Sequence, residues 1–391
     1  MSKLCIMLPP LAPDYSGAAS ALFELGGMIV IHDAAGCTGN YTGYDEPRWL
    51  GSHTAVYCSG LRHMDAILGN DNLLVERIKK AAESIKPNFI ALLGSPVPMV
   101  IGTDFEGLAA EIETVTGLPS IGLSTRGLAY YGKGINAAII SLMKKVCPLK
   151  IREEEKNDGI NILGMTPLDF AKGPNASDFV KLFEDNGIKV NCCFTMGCTF
   201  EQFKNSVKSR LNVVVSQSGY DTAVFMKEKY GIPFVTGTPM LMGMQILAKI
   251  QPEKFSFNPK PLTNITDKKI FIAGEQVIAN TIREYFEALG LKKENTTVGI
   301  MFDATKELMR DGDVIVKDEK HLRELLNSGK YQKIVADPLV EQLITENTKD
   351  NGIEFYALPH VAVSSKVYWD KPVRFISKEF SDFVKSVISG N

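Results

Sequence analysis

One pattern recurs along this chain: a short run of β-branched and apolar residues, a turn, then an amphipathic helical stretch. In the first third the runs are "MIVIHD" (28–33), "HTAVYCS" (53–59), "NFIALLGS" (88–95) and "PSIGLST" (119–125), with helical stretches such as "NLLVERIKKAAESI" and "TDFEGLAAEIETVTG" between them. The runs are continuously apolar rather than alternating, which is how parallel strands covered on both faces read. Such alternation predicts an α/β fold with right-handed crossovers.

The charged run "KIREEEKNDG" (150–159) breaks the pattern and reads as a linker. A second cycle follows through "INILGM", "KVNCCFT", "LNVVVSQ" and "IPFVTG", with the helices "SDFVKLFEDNG", "TFEQFKNSVKSR" and "YDTAVFMKEKYG". The polar stretch "QPEKFSFNPKPLTNITD" then precedes a third cycle opening on "KKIFIAG", with "KIVADP" and "EFYALP" as further strands. Its helix "EQVIANTIREYFEALG" aligns Val277, Ile278, Ile282, Tyr285, Phe286 and Leu289 on one stripe. The expected organisation is three Rossmann-like domains with parallel sheets, at 1–150, 151–262 and 263–391, each of ordinary domain size.

With 391 residues, 45% of them hydrophobic, the chain can bury sizeable cores. A net charge of −2 gives no electrostatic reason to expect nucleic acid or an anionic membrane as partner. No eighteen-residue apolar stretch occurs, so no membrane-spanning helix is expected. The opening "MSKLCIMLPPLAPDYSG" does not read as a signal peptide, and the expected location is the cytoplasm. The seven cysteines are then expected as reduced thiols or metal ligands, not disulfides.

Ligands of open α/β sheets sit beyond the carboxyl ends of the strands. Cys37 follows "MIVIHD" in "AAGCTGNYTGY", Cys58 ends "HTAVYC", and Ser95 follows "FIALLG". A cysteine at a strand end either fills space or ligates. Around Cys37, Gly36 and Gly39 let the backbone approach a bulky group and turn amides toward sulfur. Two thiolates fall short of the four that a tetrahedral or cubane site needs, and a two-fold dimer would supply the rest. Cys192, Cys193 and Cys198 in "NCCFTMGCTF" lack a completing fourth cysteine and read as buried structural residues; Cys5 and Cys147 carry no motif.

No phosphate loop, G-x-G-x-x-G, H-E-x-x-H or G-x-S-x-G motif is present, which argues against P-loop ATP binding and serine hydrolysis. His32 reads as a hydrogen-bonded rim residue. His360, in "YALPHVAV", is placed to face an inter-domain cavity, as a structural group or as a weak catalytic candidate.

The first 135 residues resemble component 1 of nitrogenase and its relatives: the cofactor-assembly scaffold and the protochlorophyllide and Ni-sirohydrochlorin diamide reductases. "PDYSGAASALFEL" is similar to the family's C-x-Y-x-G-A opening, and "IVIHDAAGC" to its h-x-H-G-P-x-G-C loop. "YCSGLRHMDAILGNDNLLVERI" resembles the segment that leads through D-h-h-h-G-G into a helix. "NFIALLGSPVPMVIGTDFEGLA" resembles the strand that ends in a cysteine before h-h-G-D-D-h. "TFEQFKNSVKSRLNVVVSQSGYDTAVFMKEKYGIPFV" looks like the family's second domain; the third unit fits loosely.

The resemblance implies three α/β domains, a metallocluster at a subunit interface held by first-domain cysteines, and electrons delivered by a separate ATP-hydrolysing iron protein. Cys37 matches one ligand position. Pro13 stands at the first cysteine of the pattern and Ser95 at the third, so an eight-iron cluster is not expected. A single [4Fe–4S] cluster bridging two subunits through Cys37 and Cys58 fits the ligand count, with Asp14 or Ser95 as oxygen alternatives. The second subunit is a second copy or a paralogue. The substrate, a small molecule or cofactor, is expected between domains, near His360 and the "SQSG" turn at 216–219. No cysteine stands in "VVVSQSGYDTAVF" where dinitrogen-reducing subunits hold their cofactor, so dinitrogen reduction is not expected. A scaffold that carries a cofactor precursor, and a metal-free α/β binding protein, are the alternatives.

Overall fold

A computed structural model describes residues 5–50, 52 and 54–390. Residues 1–4 of the opening segment and His53 of the second expected strand lie outside the described residues. Three parallel sheets form in chain order. The first contains β1 (Met28–Ile31), β2 (Ala55–Cys58), β3 (Ile90–Leu93) and β4 (Ser120–Leu123), in the order β2-β1-β3-β4. The second repeats that order as β6-β5-β7-β8, from β5 (Asn157–Leu163), β6 (Val190–Cys193), β7 (Ser209–Val214) and β8 (Phe234–Thr236). The third is five-stranded, ordered β11-β10-β9-β12-β13, from β9 (Ile270–Gly274), β10 (Thr296–Ile300), β11 (Val314–Ile315), β12 (Lys333–Ala336) and β13 (Glu354–Ala357).

The central strands β1 and β3 are buried along their whole length, as continuous apolar runs require. Helix Gln276–Ala288 buries the expected stripe: Val277, Ile278, Ile282, Tyr285 and Phe286, with Leu289 just beyond its end. Strands β10 and β11 were not legible in the sequence. β10 reads "TTVGI", where Gly299 leaves room for the Phe271 ring, and β11 is a two-residue edge. In each sheet the order reverses beside the first strand, so crevices open at the carboxyl ends of β1 and β3, β5 and β7, and β9 and β12.

Helices Asp14–Leu22 and Tyr131–Val146 cross at contact distance because glycines stand where they meet. A Cβ on Gly134 would lie 1.7 Å from the Asp14 carbonyl oxygen, and one on Gly17 2.0 Å from that of Tyr131. Gly134→Ala must therefore push two helix backbones apart and is expected to cost ~2–3 kcal/mol in urea unfolding. Gly36→Ala, whose Cβ meets nothing within 4 Å, should stay within about 0.5 kcal/mol of the parent.

One cysteine expectation is corrected. Cys192 and Cys198 are joined in a disulfide, with their Cα atoms 5.6 Å apart. β6 ends at Cys193, and the chain turns back through Thr195 (φ 70°) and Gly197 (φ 81°), which carries Cys198 over Cys192. All three cysteines of this group are buried, and burial pushes the Cys193 thiol up to about 12.

Candidate metal centre

β1 delivers His32 and Asp33 to the first crevice, and Asp33 organises the loop beyond it. Its buried carboxylate accepts the backbone N–H groups of Ala35 (2.9 Å) and Cys37 (2.8 Å), capping the short helix Gly36–Asn40. Its carbonyl oxygen accepts the Cys58 thiol (3.2 Å) and the Leu61 amide (2.8 Å). Ser95, at the end of β3, donates its hydroxyl to the His32 carbonyl (2.9 Å) and lies 3.3 Å from Asp33 Oδ1. One aspartate thus ties together the segments bearing Cys37, Cys58 and Ser95. The sequence did not single it out; an acid two to five residues before a glycine-flanked turn is its signal, in the manner of an Asx cap.

Both thiols are half-buried, whereas Ser95 is fully buried beneath them. Burial, then the Asp33 charge, push the Cys37 thiol up, while hydrogen bonds from Tyr15 and Ser95 oppose the rise. The Gly60 amide donates to the Cys58 sulfur at 3.3 Å. Gly36 and Gly39 face open space, and the left-handed conformation of the loop falls on Ala35 (φ 126°) instead. Asp14 is not brought to this point: its carboxylate accepts the amides of Arg126 (3.0 Å) and Gly127 (2.7 Å). Burial lowers the His32 pKa, and its Nδ1 lies 2.8 Å from the Ser59 hydroxyl, a rim residue as expected. Among the described residues, no group of three or more His, Cys, Asp or Glu could hold a metal ion within one chain.

Exposed apolar residues stand on the helices that follow Cys58 and Ser95 in the chain. Met64, Ile67 and Leu68 on helix His63–Leu68, with Val100 and Ile101 at the end of helix Pro96–Val100, are 46–87% exposed. They flank a cavity of about 400 Å³ floored by His32, Ser59 and Gly60. Charged Asp65, Asp71, Arg77 and Asp104 share the cavity wall with Ile67, Leu68 and Ile101.

The second and third crevices converge on a different centre. Asp169, buried, accepts hydrogen bonds from Ser216 (2.7 Å), Ser218 (2.9 Å) and Tyr131, and faces His360 Nε2 at 3.2 Å. Residues from all three sheet units thus meet at one carboxylate. His360, Glu275 and Asp337 join Asp169 around a cavity of about 20 Å³, a space for a water rather than a cofactor. The Nδ1 of His360 is buried without a hydrogen-bond partner among the described residues. Of the "SQSG" turn, Ser216 and Ser218 bind Asp169, and the Gln217 amide donates to Glu275 (2.7 Å). The larger space, about 700 Å³, opens between the first and third units, with Leu11, Leu128, Tyr130, Met301 and Leu322 in its walls.

Burial, then the Asp169 charge, push Glu275 up to about 7, against the pull of three backbone amides. The native state therefore holds a proton that the unfolded chain releases near pH ~4.3, and stability falls as pH rises from about 4 to 7. Burial raises Asp45 to about 6 and adds the same sign. Glu275→Gln keeps an amide acceptor and is expected to flatten this slope. The parent should lose about 2 kcal/mol more than the variant between pH 5 and 8 in denaturant titrations.

The comparisons with known proteins agree with this architecture. The family model for nitrogenase component 1 type oxidoreductases matches residues 13–249, well over half of the chain. The chain therefore belongs to the nitrogenase component 1 family. It is 24% identical over 227 residues to the nitrogenase iron-molybdenum cofactor biosynthesis protein NifE of Methanococcus maripaludis, covering 56% of this chain and 46% of that protein. It is 37% identical over 82 residues to a light-independent protochlorophyllide reductase subunit of Staurastrum punctulatum, covering 21% of this chain and 16% of that protein. The chain thus spans less than half the length of these curated relatives. A solved nitrogenase, Cp1 at pH 6.5, superposes with a TM-score of 0.71 at 13% identity, over 99% of this chain and 94% of that one, a likeness of fold.

Proposed function

We propose that the chain is a nitrogenase-like component 1 reductase subunit. It takes electrons from an ATP-dependent iron-protein partner through a [4Fe–4S] cluster shared by two subunits, and reduces a small molecule or cofactor. The observation that carries this reading is the pairing of the Cys37 and Cys58 segments around Asp33, with both thiols half-buried. The residues fit such a group. Each chain offers two thiols on one rim, the Gly60 amide points at one sulfur, and open space lies over Gly36 and Gly39. When bound, the cluster would pass single electrons at a potential set by burial and amide hydrogen bonds.

The chain's own residues then have defined roles. Cys37 and Cys58 would hold the cluster, Asp33 fixes the backbone of both, Tyr15 interacts with the Cys37 thiol, and Ser95 braces Asp33 and the end of β1. Asp14 is left to the 126–127 loop. Met64, Ile67, Leu68, Val100 and Ile101 cover the second subunit, a copy of this chain or a paralogue. On this reading residues 1–150 form the cluster-bearing domain, 151–262 and 263–391 the second and third, and the protein works in the cytoplasm. The substrate lies in the 700 Å³ space, whose Tyr130 wall adjoins Tyr131 and the Asp169–His360 centre.

The test is electron delivery. Mixing the anaerobic protein with an iron-protein ATPase of this type should bleach its absorption near ~400 nm only when MgATP is present. Bleaching that ignores MgATP, or none at all, contradicts the electron-transfer role. A second reading, a scaffold that carries a cofactor precursor, is favoured by the similarity to the NifE biosynthesis protein. It predicts transfer of a bound cofactor to another protein without turnover.

A further inference from the structure

We infer that the Cys192–Cys198 disulfide is a redox-sensitive latch between the second unit and the segment that carries Cys37. The disulfide closes a loop whose tip touches the first unit. The Thr195 carbonyl accepts Arg48 Nη1 at 2.5 Å, and the Gly197 amide donates to Glu24 Oε2 at 2.6 Å. Arg48 and Glu24 are themselves paired at 3.0 Å, so loop tip and ion pair form one closed ring of contacts. Tip geometry makes these bonds possible: Thr195 and Gly197 both sit at positive φ, which aims one carbonyl and one amide at the same ion pair.

The ring leads to the metal centre through the first unit. Arg48 is buried and donates twice to Glu46, from Nε at 2.7 Å and from Nη2 at 2.8 Å. Glu46 accepts Tyr41 (3.1 Å), and its neighbour Asp45 accepts Ser16 (2.6 Å) and Asn40 (2.9 Å). Asn40 is the last residue of the helix that begins beside Cys37. A tip held by a covalent closure is thus joined to the Cys37 segment through the buried Arg48–Glu46 and Glu46–Tyr41 contacts, the chain from Asp45 to Glu46, and the part-buried Asn40–Asp45 contact.

Opening the latch requires a dithiol reductant. Cys198 is buried, with exposed Gly197 and Thr199 on either side, so the reductant's thiolate attacks its sulfur when the loop tip opens locally. The S–S bond breaks, and Cys192 leaves as a thiolate and takes up a proton. The second thiol of the reductant resolves the mixed disulfide, so two electrons and two protons pass to the pair and the reductant departs oxidised. The freed tip regains conformational entropy, Arg48 and Glu24 lose their loop partners, and residues 41–49 loosen. The latch is independent of any group held by Cys37.

The experiment is hydrogen exchange by mass spectrometry on the full chain, oxidised with diamide or reduced with dithiothreitol, alongside non-reducing peptide mapping. The oxidised protein should yield a peptide linking Cys192 to Cys198. Reduction should speed exchange of amides in 194–198 and 41–49 by about tenfold or more, with β9 and β12 unchanged. Cys198→Ser should behave as the reduced protein and ignore dithiothreitol; Glu24→Gln should loosen the tip with the disulfide intact. The parent comparison decides the matter even where Cys198→Ser fails to fold. Absence of the linked peptide, equal exchange in both states, or loss of protection across the whole chain on reduction would each overturn the latch.

Discussion

Cys37→Ala and Cys58→Ala, each alone, are expected to strip iron from the protein while leaving its fold intact. In a two-fold dimer every substitution removes two of four ligands at once, so iron should fall from about four per dimer to near none. Neither thiol is fully buried, and neither belongs to the buried part of a hydrophobic core, so the loss in unfolding free energy should stay near ~1 kcal/mol. Asp14→Ala is the informative control, because that carboxylate is engaged by Arg126 and Gly127 and should not affect iron content. Iron retained by either cysteine variant would move the ligand set elsewhere.

Arg48→Ala is expected to be the most destabilising single change, at about 3–5 kcal/mol. The guanidinium is 8% exposed, Glu46 is fully buried, and Glu24 is the only one of the three with substantial solvent contact. Truncation leaves the Glu46 carboxylate without its cation and the Thr195 carbonyl without its donor. It also removes the packing of the guanidinium on the Phe23 ring at 4.6 Å. Arg48→Met combined with Glu46→Gln keeps the volume without the orphaned charge and should recover a good part of the loss. Chemical denaturation of both variants beside the parent checks the difference; equal losses would mean that the cost lies in the hydrogen bonds to the Thr195 and Ser20 carbonyls rather than in the orphaned charge.

Much of this architecture is legible in the residues because a parallel strand buried on both faces must be apolar throughout. "MIVIHD", "NFIALLGS" and "KKIFIAG" became β1, β3 and β9 for that reason. β10 and β11 were not legible, since Thr296, Thr297 and Gly299 break the apolar run and an edge strand of two residues carries no period. The Cys37 loop and the position of His360 could be anticipated because strand ends face ligand crevices. Asp33 carries a local signal, its capping of the Ala35 and Cys37 amides, but not its link to Ser95, whereas Asp169 carries none, because Tyr131, Ser216 and His360 are all distant in sequence. The disulfide was hidden for a related reason: it needs the turn at Thr195 and Gly197, and a cysteine spacing does not disclose a turn.

The central claim, a cluster shared between two chains, is tested most directly by native mass spectrometry of anaerobically purified protein, with iron and acid-labile sulfide measured on the same sample. The account predicts a dimer, of two copies or with a paralogous subunit, carrying about four irons and four sulfides. A monomer, or a dimer that stays metal-free after anaerobic reconstitution, would contradict it and leave Cys37 as a thiol in a glycine-rich loop of an inherited fold.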